Sequence, residues 1–124
     1  MYTERVMKHF KHPKNQGKLK NANGIGEVGN PTCGDVMKMY VYVENGMIKD
    51  ISWETYGCVA AIATSSVLTT LVKGKTIEEA LKITKDDVAK ELGGLPSMKM
   101  HCSILAVDAL KKAIEDYRSK EATI

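Results

Sequence analysis

The chain has 124 residues, of which 44% are hydrophobic and 27% are charged, with a formal net charge of +3 at pH 7. This length and composition are typical of one globular domain, and residues 1–124 are predicted to form it. No apolar stretch approaches the roughly 20 residues that cross a bilayer, and the N-terminus is too polar for a secretory signal. The net charge is too small to argue for nucleic acid. We therefore expect a cytoplasmic protein without nucleic-acid or membrane partners.

Two groups of residues stand out in the composition. The three cysteines, Cys33, Cys58 and Cys102, are an odd number in a chain without an export signal, so a disulfide framework is not expected. Reduced thiols with a chemical or metal-binding role are one interpretation, and inert core burial is the other. Five lysines between positions 8 and 20 form either a solvated loop, which we favour, or a docking patch for an acidic partner.

The first half of the chain predicts a helix followed by a small sheet. Apolar residues recur at four-residue spacing ahead of Pro13, which indicates a short amphipathic helix. These residues are Tyr2, Val6 and Phe10. Apolar and polar residues alternate over 36–44, as in a half-buried strand, and Asn45-Gly46 predicts a tight hairpin. The return strand then covers residues 47–56.

Residues 24–29 read Gly-Ile-Gly-Glu-Val-Gly, a formal match to the dinucleotide-binding fingerprint. That fingerprint requires a strand before it and a helix after it. Here a polar loop precedes the glycines, and Asn30-Pro31 stands where the helix would begin. A short edge strand over residues 25–29 is the better interpretation.

Four helices are predicted after the sheet. Residues 59–72 are rich in small side chains, which allow close packing on a sheet or a helix. Two capping boxes then open short helices, each a threonine followed three residues later by an acid. The pairs are Thr76 with Glu79 and Thr84 with Asp87. Gly93-Gly94 ends the second short helix, and a final amphipathic helix leads to a frayed tail at 119–124. The predicted class is α+β, a small three-stranded antiparallel sheet with about five helices largely on one face.

Each cysteine lies at a junction between predicted elements. In an antiparallel meander the second strand starts where the third finishes, so Cys33 and Cys58 should be neighbours. A helix packed on this sheet supplies Cys102, whose place at a helix start predicts a lowered pKa. Asp35 and His101 are further candidate ligands, with a turn cap and an ordinary helix-start histidine as the alternatives. Such sulfur ligands suit zinc, copper(I) or iron–sulfur clusters, and no Cys-x-x-Cys pair indicates a zinc finger.

Four ordered segments carry a resemblance to a known family. They are His-Pro-Lys-Asn with a following glycine at 12–17, Gly-Asn-Pro-Thr-Cys-Gly-Asp at 29–35, Tyr-Gly-Cys-Val-Ala-Ala-Ile-Ala-Thr-Ser-Ser at 56–66, and the segment 95–103 with its Leu-Pro, Lys and His-Cys-Ser. Over nearly its whole length the chain resembles the IscU-type iron–sulfur cluster assembly scaffolds, which are related to the N-terminal domain of NifU.

The resemblance implies a scaffold rather than an enzyme. On it a [2Fe–2S] cluster is built from iron and sulfur and then handed to apo iron–sulfur acceptor proteins. A pyridoxal-phosphate cysteine desulfurase supplies the sulfur as persulfide. Carried over by position, Cys33, Cys58 and Cys102 hold the metal, and Cys102 also accepts the persulfide. Asp35 is a ligand or a carboxylate that promotes cluster release, and His101 is the alternative fourth ligand. A homodimer is a further possibility when the cluster is bound.

The sequence departs from the family pattern at residues 95–99. These read Leu-Pro-Ser-Met-Lys, whereas members with a dedicated DnaK-like chaperone carry Leu-Pro-Pro-Val-Lys, which weakens the expectation of that partner. Lys99 itself is interpreted as a solvated side chain. A zinc-bound sulfur-transfer protein of the SufU type is the alternative function, although His101 and the lack of an obvious insertion favour the scaffold branch. A zinc hydrolase is disfavoured, because no clear general base stands beyond Asp35 or His101.

Overall fold

Three antiparallel strands, joined in chain order, form the sheet that positions the rest of the molecule. In this computed structural model, which describes residues 2–30 and 34–122, the sheet order is β1-β2-β3. The strands are β1 (Gly24–Asn30), β2 (Asp35–Glu44) and β3 (Met47–Tyr56). Asn45 and Gly46 both have positive φ, as a tight hairpin between β2 and β3 requires. The predicted strands and hairpin are confirmed.

Within the described residues the chain forms five α-helices and one 3-10 turn. They are α1 (Glu4–Lys11), α2 (Val59–Val72), α3 (Ile77–Leu81), α4 (Lys85–Glu91), the turn Ser97–Lys99 and α5 (Met100–Ala122). Thr76 and Thr84 form the two capping boxes. Each threonine hydroxyl accepts from the backbone N–H of its acidic partner, and the carboxylate of that partner accepts from the backbone N–H of the threonine. The α+β class is confirmed. None of these helices is both long and apolar enough to span a bilayer.

The last turns of α5 differ from the sequence prediction. The helix continues through Ala122, whereas the tail is expected to fray after Arg118. Lys120 belongs to the part expected to fray, and its Nζ lies 3.1 Å from Asp116 Oδ2 one turn earlier. Residues 123 and 124 lie outside the described residues.

The helices pack on one face of the sheet, with α5 across β1 and β2 and α2 across β3. The strand residues that point to them are buried, as the alternation predicts. In β2 they are Met37, Met39, Val41 and Val43. Trp53 of β3 is fully buried beneath α2 and the segment that follows α1. The core therefore lies between the sheet and the helices.

Helix α5 crosses β1 so closely that two strand positions admit only glycine. A Cβ at Gly26 would lie 2.3 Å from the carbonyl oxygen of Ala109, and one at Gly24 would lie 2.4 Å from that of Ala113. Both distances are far shorter than van der Waals contact. These glycines serve helix-on-sheet packing, and β1 leads into β2 rather than into a helix. The rejection of the dinucleotide fingerprint is confirmed.

The segment after α1 is bonded to β3 and α2. The Trp53 N–H donates to the Asn15 carbonyl at 3.1 Å, and the Gly17 N–H donates to the Trp53 carbonyl at 2.8 Å. The Trp53 indole donates to the Lys14 carbonyl at 2.7 Å. Asn15 adopts a positive φ, which asparagine tolerates better than most residues. These bonds hold Lys14 beside the end of α1.

Candidate metal centre

The first residue of β2, Asp35, lies beside the end of β3. Val36 pairs with Tyr56, so Gly57 follows directly at the same end of the sheet. A Cβ at Gly57 would lie only 2.3 Å from Asp35 Oδ1, which means that glycine is required for the carboxylate to occupy this place. The carboxylate is buried, with Asp35 only 3% exposed. A buried carboxylate needs a cation or several donors nearby.

Cys58 is the N-cap residue of α2. Its backbone is extended there, and its side chain makes no capping hydrogen bond. Serine, threonine, aspartate and asparagine are the usual residues at this position because their oxygens accept N–H groups of the first turn. Here the position instead presents a half-buried thiol, whose Sγ lies 3.8 Å from Cys102 Sγ.

Cys102 is the third residue of α5 and is fully buried. Its Sγ lies 3.8 Å from Asp35 Oδ2, so the packing of α5 on the sheet joins the two sides of the site. One ligand atom each from Asp35, Cys58 and Cys102 lies within 4.8 Å of the others. The structure therefore brings these three of the predicted site residues together.

His101 lies on the rim of this group. Its Nε2 is 3.6 Å from Cys102 Sγ and 3.6 Å from Asp35 Oδ2. Its Nδ1 lies 3.1 Å from the Met98 carbonyl oxygen. Because a carbonyl can only accept, Nδ1 carries a proton in this contact, which leaves Nε2, on the side of the thiol and the carboxylate, as the nitrogen that could bind a metal. This is the tautomer that a metal ligand needs.

The distances suit a single tetrahedral ion. With metal–sulfur bonds of about 2.3 Å, two thiolates on one tetrahedral ion lie about 3.8 Å apart. Cys58 Sγ and Cys102 Sγ have this separation. Two sulfurs, one carboxylate and one imidazole are donors for zinc or iron, whereas calcium and magnesium prefer oxygen alone. The residues present therefore fit a thiophilic metal.

Comparison with known proteins identifies the family of this chain. The NifU-like N terminal domain family matches the chain over residues 1–124. The chain belongs to this family. It is 58% identical over 124 residues to the iron–sulfur cluster assembly scaffold protein IscU 1 of Archaeoglobus fulgidus, covering 100% of this chain and 81% of that protein.

Two further relatives extend the comparison. The chain is 51% identical to the scaffold protein IscU of Haemophilus influenzae, covering 97% of this chain and 98% of that protein. The crystal structure of a nitrogen-fixing NifU-like protein (N-terminal) from Brucella abortus matches with a TM-score of 0.75 at 22% identity. It covers 95% of this chain and 94% of that one, which shows a shared fold. The family resemblance found in the sequence is confirmed.

In this member of the NifU-like family, four of the five predicted site residues come together: Asp35, Cys58, His101 and Cys102. Cys33 lies outside the described residues, so its membership of the centre stays a prediction.

The pKa of Cys102 corrects one expectation from the sequence. Burial raises this pKa, the nearby Cys58 and Asp35 raise it further, and Lys99 lowers it. The predicted lowering is wrong because the turn Ser97–Lys99 runs directly into α5, which buries the thiol beside Cys58 and the Asp35 carboxylate. A cation bound here would favour the thiolate, so metal binding and loss of the proton are coupled.

Lys99 is a charged neighbour of the centre to which the sequence analysis gave no role. Attraction to Cys58, then to Tyr2, and more weakly to Cys102 and Asp35, raises its pKa. A half-exposed ammonium therefore stands near the two thiols and the Asp35 carboxylate of the centre. Its position one turn before Cys102 on a continuous helical segment was the available signal, since residues three apart share a helix face.

Proposed function

We propose that this protein is an iron–sulfur cluster assembly scaffold, which holds iron and sulfur while a cluster forms and then releases it to an acceptor protein. One observation carries the proposal: ligand atoms of Asp35, Cys58 and Cys102 lie within 4.8 Å of one another where three elements meet. The curated relatives described above, which are named as scaffolds, support the same function. The protein is not expected to turn over a substrate as an enzyme does.

The cluster is the cargo of this site, and we propose that it is [2Fe–2S]. Cys58 and Cys102 supply two thiolates, and Cys33 supplies the third. The last assignment is supported by the residues on either side of it, because Asn30 and Asp35 pair across β1 and β2 at the edge of the centre. Asp35 or His101 is the fourth ligand. An oxygen or nitrogen ligand binds iron less firmly than thiolate does, which suits a cluster that must leave.

Sulfur reaches the site by transfer of a persulfide, and Cys102 is the proposed acceptor. Its thiolate attacks the outer sulfur of the persulfide on a cysteine desulfurase, a pyridoxal-phosphate enzyme. The S–S bond of the donor breaks, the desulfurase thiolate leaves, and a persulfide forms on Cys102 with no net oxidation or reduction. Since Cys102 is buried, the segment 93–99 must move for this transfer. Gly93 and Gly94, both with positive φ, lie at its start.

Anaerobic reconstitution tests the scaffold function. The protein is mixed with iron, cysteine and a desulfurase, and the cluster is followed by visible absorption and by its transfer to an apo-ferredoxin. A transferable chromophore is expected. Tight binding of zinc with no cluster would overturn the scaffold and favour a zinc-bound persulfide acceptor. A missing mass increment of one sulfur in Cys102→Ser, but not in Cys58→Ser, is expected for the proposed acceptor.

Asp35→Ala tests the role of the carboxylate. We expect a chromophore that persists longer than in the parent, because the group proposed to promote release is absent. The measurement is the rate of cluster transfer to apo-ferredoxin, where a decrease of about tenfold would match the typical effect of groups around a metal. Asp108→Ala, which removes an equal charge from an exposed position of α5, is the control. Equal transfer rates in the parent and Asp35→Ala would contradict the assignment.

A further inference from the structure

A second site lies away from the metal centre, in a groove between α1, the segment after it and the end of α4. The groove has a volume of about 400 Å³. Its lining residues are Arg5, Lys8, His9, His12, Lys14 and Glu91. We propose that this α1 groove is a docking surface for an acidic protein partner, whose aspartate and glutamate side chains it receives. This inference does not depend on the scaffold function.

The charge of the protein is concentrated beside this groove. Between positions 4 and 14 the chain carries four fixed cations and one carboxylate, a net charge of +3. The formal net charge of the whole chain is also +3, so the remainder of the sequence is balanced. The excess positive charge of the protein therefore lies in one short helix and the residues that follow it. Such a concentrated patch steers and orients an oppositely charged partner.

The basic surface is longer than one small anion requires. A neighbouring depression of about 550 Å³ shares Arg5, Lys8 and His12 with the α1 groove and adds Lys11. Arg5 and Lys8 are spaced i and i+3 on one face of α1, and His12 is the residue that follows its last turn, so the strip runs the length of this helix. A strip of this length matches several acidic side chains on a protein surface.

The far wall of the groove is held in place before any partner binds. The Lys14 N–H donates to Ser66 Oγ at 2.8 Å, and Ser66 Oγ lies 2.8 Å from His9 Nδ1. Because the hydroxyl oxygen already accepts from Lys14, its proton is available to Nδ1, and the neutral imidazole then carries its own proton on Nε2. Burial, together with the charges of Lys14 and Lys8, lowers the pKa of His9 and favours this neutral form. A fixed N–H donor reduces the entropy lost on binding a carboxylate.

The lining residues favour a protein over a nucleic acid. Glu91 lines the α1 groove and Glu4 lines the adjacent depression, and both would repel a continuous row of phosphates. A protein surface can place a lysine or arginine opposite each of them. Among the described residues that line the two depressions none is phenylalanine, tyrosine or tryptophan, the large rings on which bases usually stack.

The α1 groove lies close to the metal centre. Ser66, behind the groove, lies eight residues after Cys58, which corresponds to about 12 Å along α2. A partner seated in the groove is therefore held near the centre.

The test uses a short fluorescein-labelled poly-L-glutamate peptide as the probe. Binding is followed by fluorescence anisotropy at low and physiological salt, and the contact surface is mapped by backbone amide shifts of the folded protein. Lys8→Glu/Lys11→Glu should weaken binding about tenfold or more, because two attractive charges become repulsive. Lys111→Glu/Lys112→Glu on α5 is the matched control, with the same change in charge at two exposed positions. Its affinity should fall no more than about threefold.

Several outcomes would overturn the proposal. Equal losses in the two double variants would show an effect of net charge alone, and amide shifts spread over the surface would show that no single site exists. Tighter binding of a DNA oligonucleotide, phosphatidylserine vesicles or inorganic pyrophosphate than of the peptide would assign the groove to another ligand. Lys8→Gln/Lys11→Gln provides a milder change, which should lower the affinity in the same direction if the charge-reversed variant does not fold.

Discussion

The start and the middle of α2 use small polar side chains in opposite ways. At its start, Cys58 Sγ lies 3.8 Å from Cys102 Sγ, and the distances from Cys102 to Asp35 and His101 are 3.8 and 3.6 Å. Farther along, Ser66 Oγ lies 2.8 Å from both the Lys14 N–H and His9 Nδ1. The first group, Asp35, Cys58, His101 and Cys102, has separations suited to an inserted ion, and we call it the open group. The second group, His9, Lys14 and Ser66, is joined by direct hydrogen bonds, and we call it the closed group.

Because of this difference, we expect substitutions in the open group to change metal affinity and substitutions in the closed group to change folding stability. A closed hydrogen bond contributes roughly 0.5–1.5 kcal/mol, and a buried group that loses its partner costs about 1–3 kcal/mol. Side chains of the closed group should therefore affect folding and leave metal affinity unchanged. Side chains of the open group should do the reverse, because their partner is the ligand.

The strongest test of this separation is Cys58→Ser. Loss of a ligand should lower metal affinity by more than the roughly 100-fold typical of supporting groups. The free energy of unfolding should stay the same or rise by about 0.5 kcal/mol, because serine is a better N-cap than a thiol that makes no capping bond. A zinc titration against a chelator and urea unfolding measure the two quantities. A parallel fall in both would contradict the separation.

Gly57→Ala should lower metal affinity about 10–100-fold without removing any ligand. The added methyl would lie 2.3 Å from Asp35 Oδ1 and displace the carboxylate. Gly29→Ala is the matched control at the same end of the sheet, since its nearest contact would be an ordinary 3.6 Å. The same zinc titration compares the two variants, and equal affinities would show that Asp35 does not bind the metal.

In the closed group, Ser66→Ala should lower the free energy of unfolding by about 1–3 kcal/mol, because the Lys14 N–H loses its acceptor. Metal affinity should remain within about twofold of the parent. Thr70→Ala is the control, because the Thr70 hydroxyl bonds to Val67 O within α2 itself. Its unfolding free energy should change by no more than about 0.5 kcal/mol. Urea unfolding measures the stability of the parent, Ser66→Ala and Thr70→Ala. A large loss of metal affinity in Ser66→Ala would show that the open and closed groups are not independent.

The smallest expected effect is a dependence on pH in the closed group. Burial and the charge of Lys14 lower the pKa of His9 from its ordinary value of 6.5, with Glu91 opposing. The unfolded chain therefore binds more protons just below pH 6.5, so stability is complete above that pH and is lost as the pH falls through this window. His9→Gln should show a flatter profile when unfolding is measured from pH 7.5 to 5.5. Parallel profiles would show that His9 is not the source.

Much of the fold was accessible from local patterns. The alternation in β2, Asn45-Gly46 and the capping boxes at Thr76 and Thr84 are read from residues close together in the chain, because backbone angles and nearby hydrogen bonds determine them. Antiparallel pairing alone brings the start of β2 next to the end of β3. For this reason the junctions that hold Asp35 and Cys58 could be predicted to meet.

The electrostatics of the site depended on packing between distant segments. The thiol of Cys102 is buried beside Cys58 and Asp35 only because α5 lies against the sheet, and this burial reverses the pKa shift expected for a helix start. Two further contacts also join segments that are distant in the chain. Gly57 is required because of its contact with Asp35, and the pKa of Lys99 is raised mainly by Cys58. The sequence was sufficient to name the ligand types and their junctions. Burial and proximity, which set the charge of each group, required the tertiary structure.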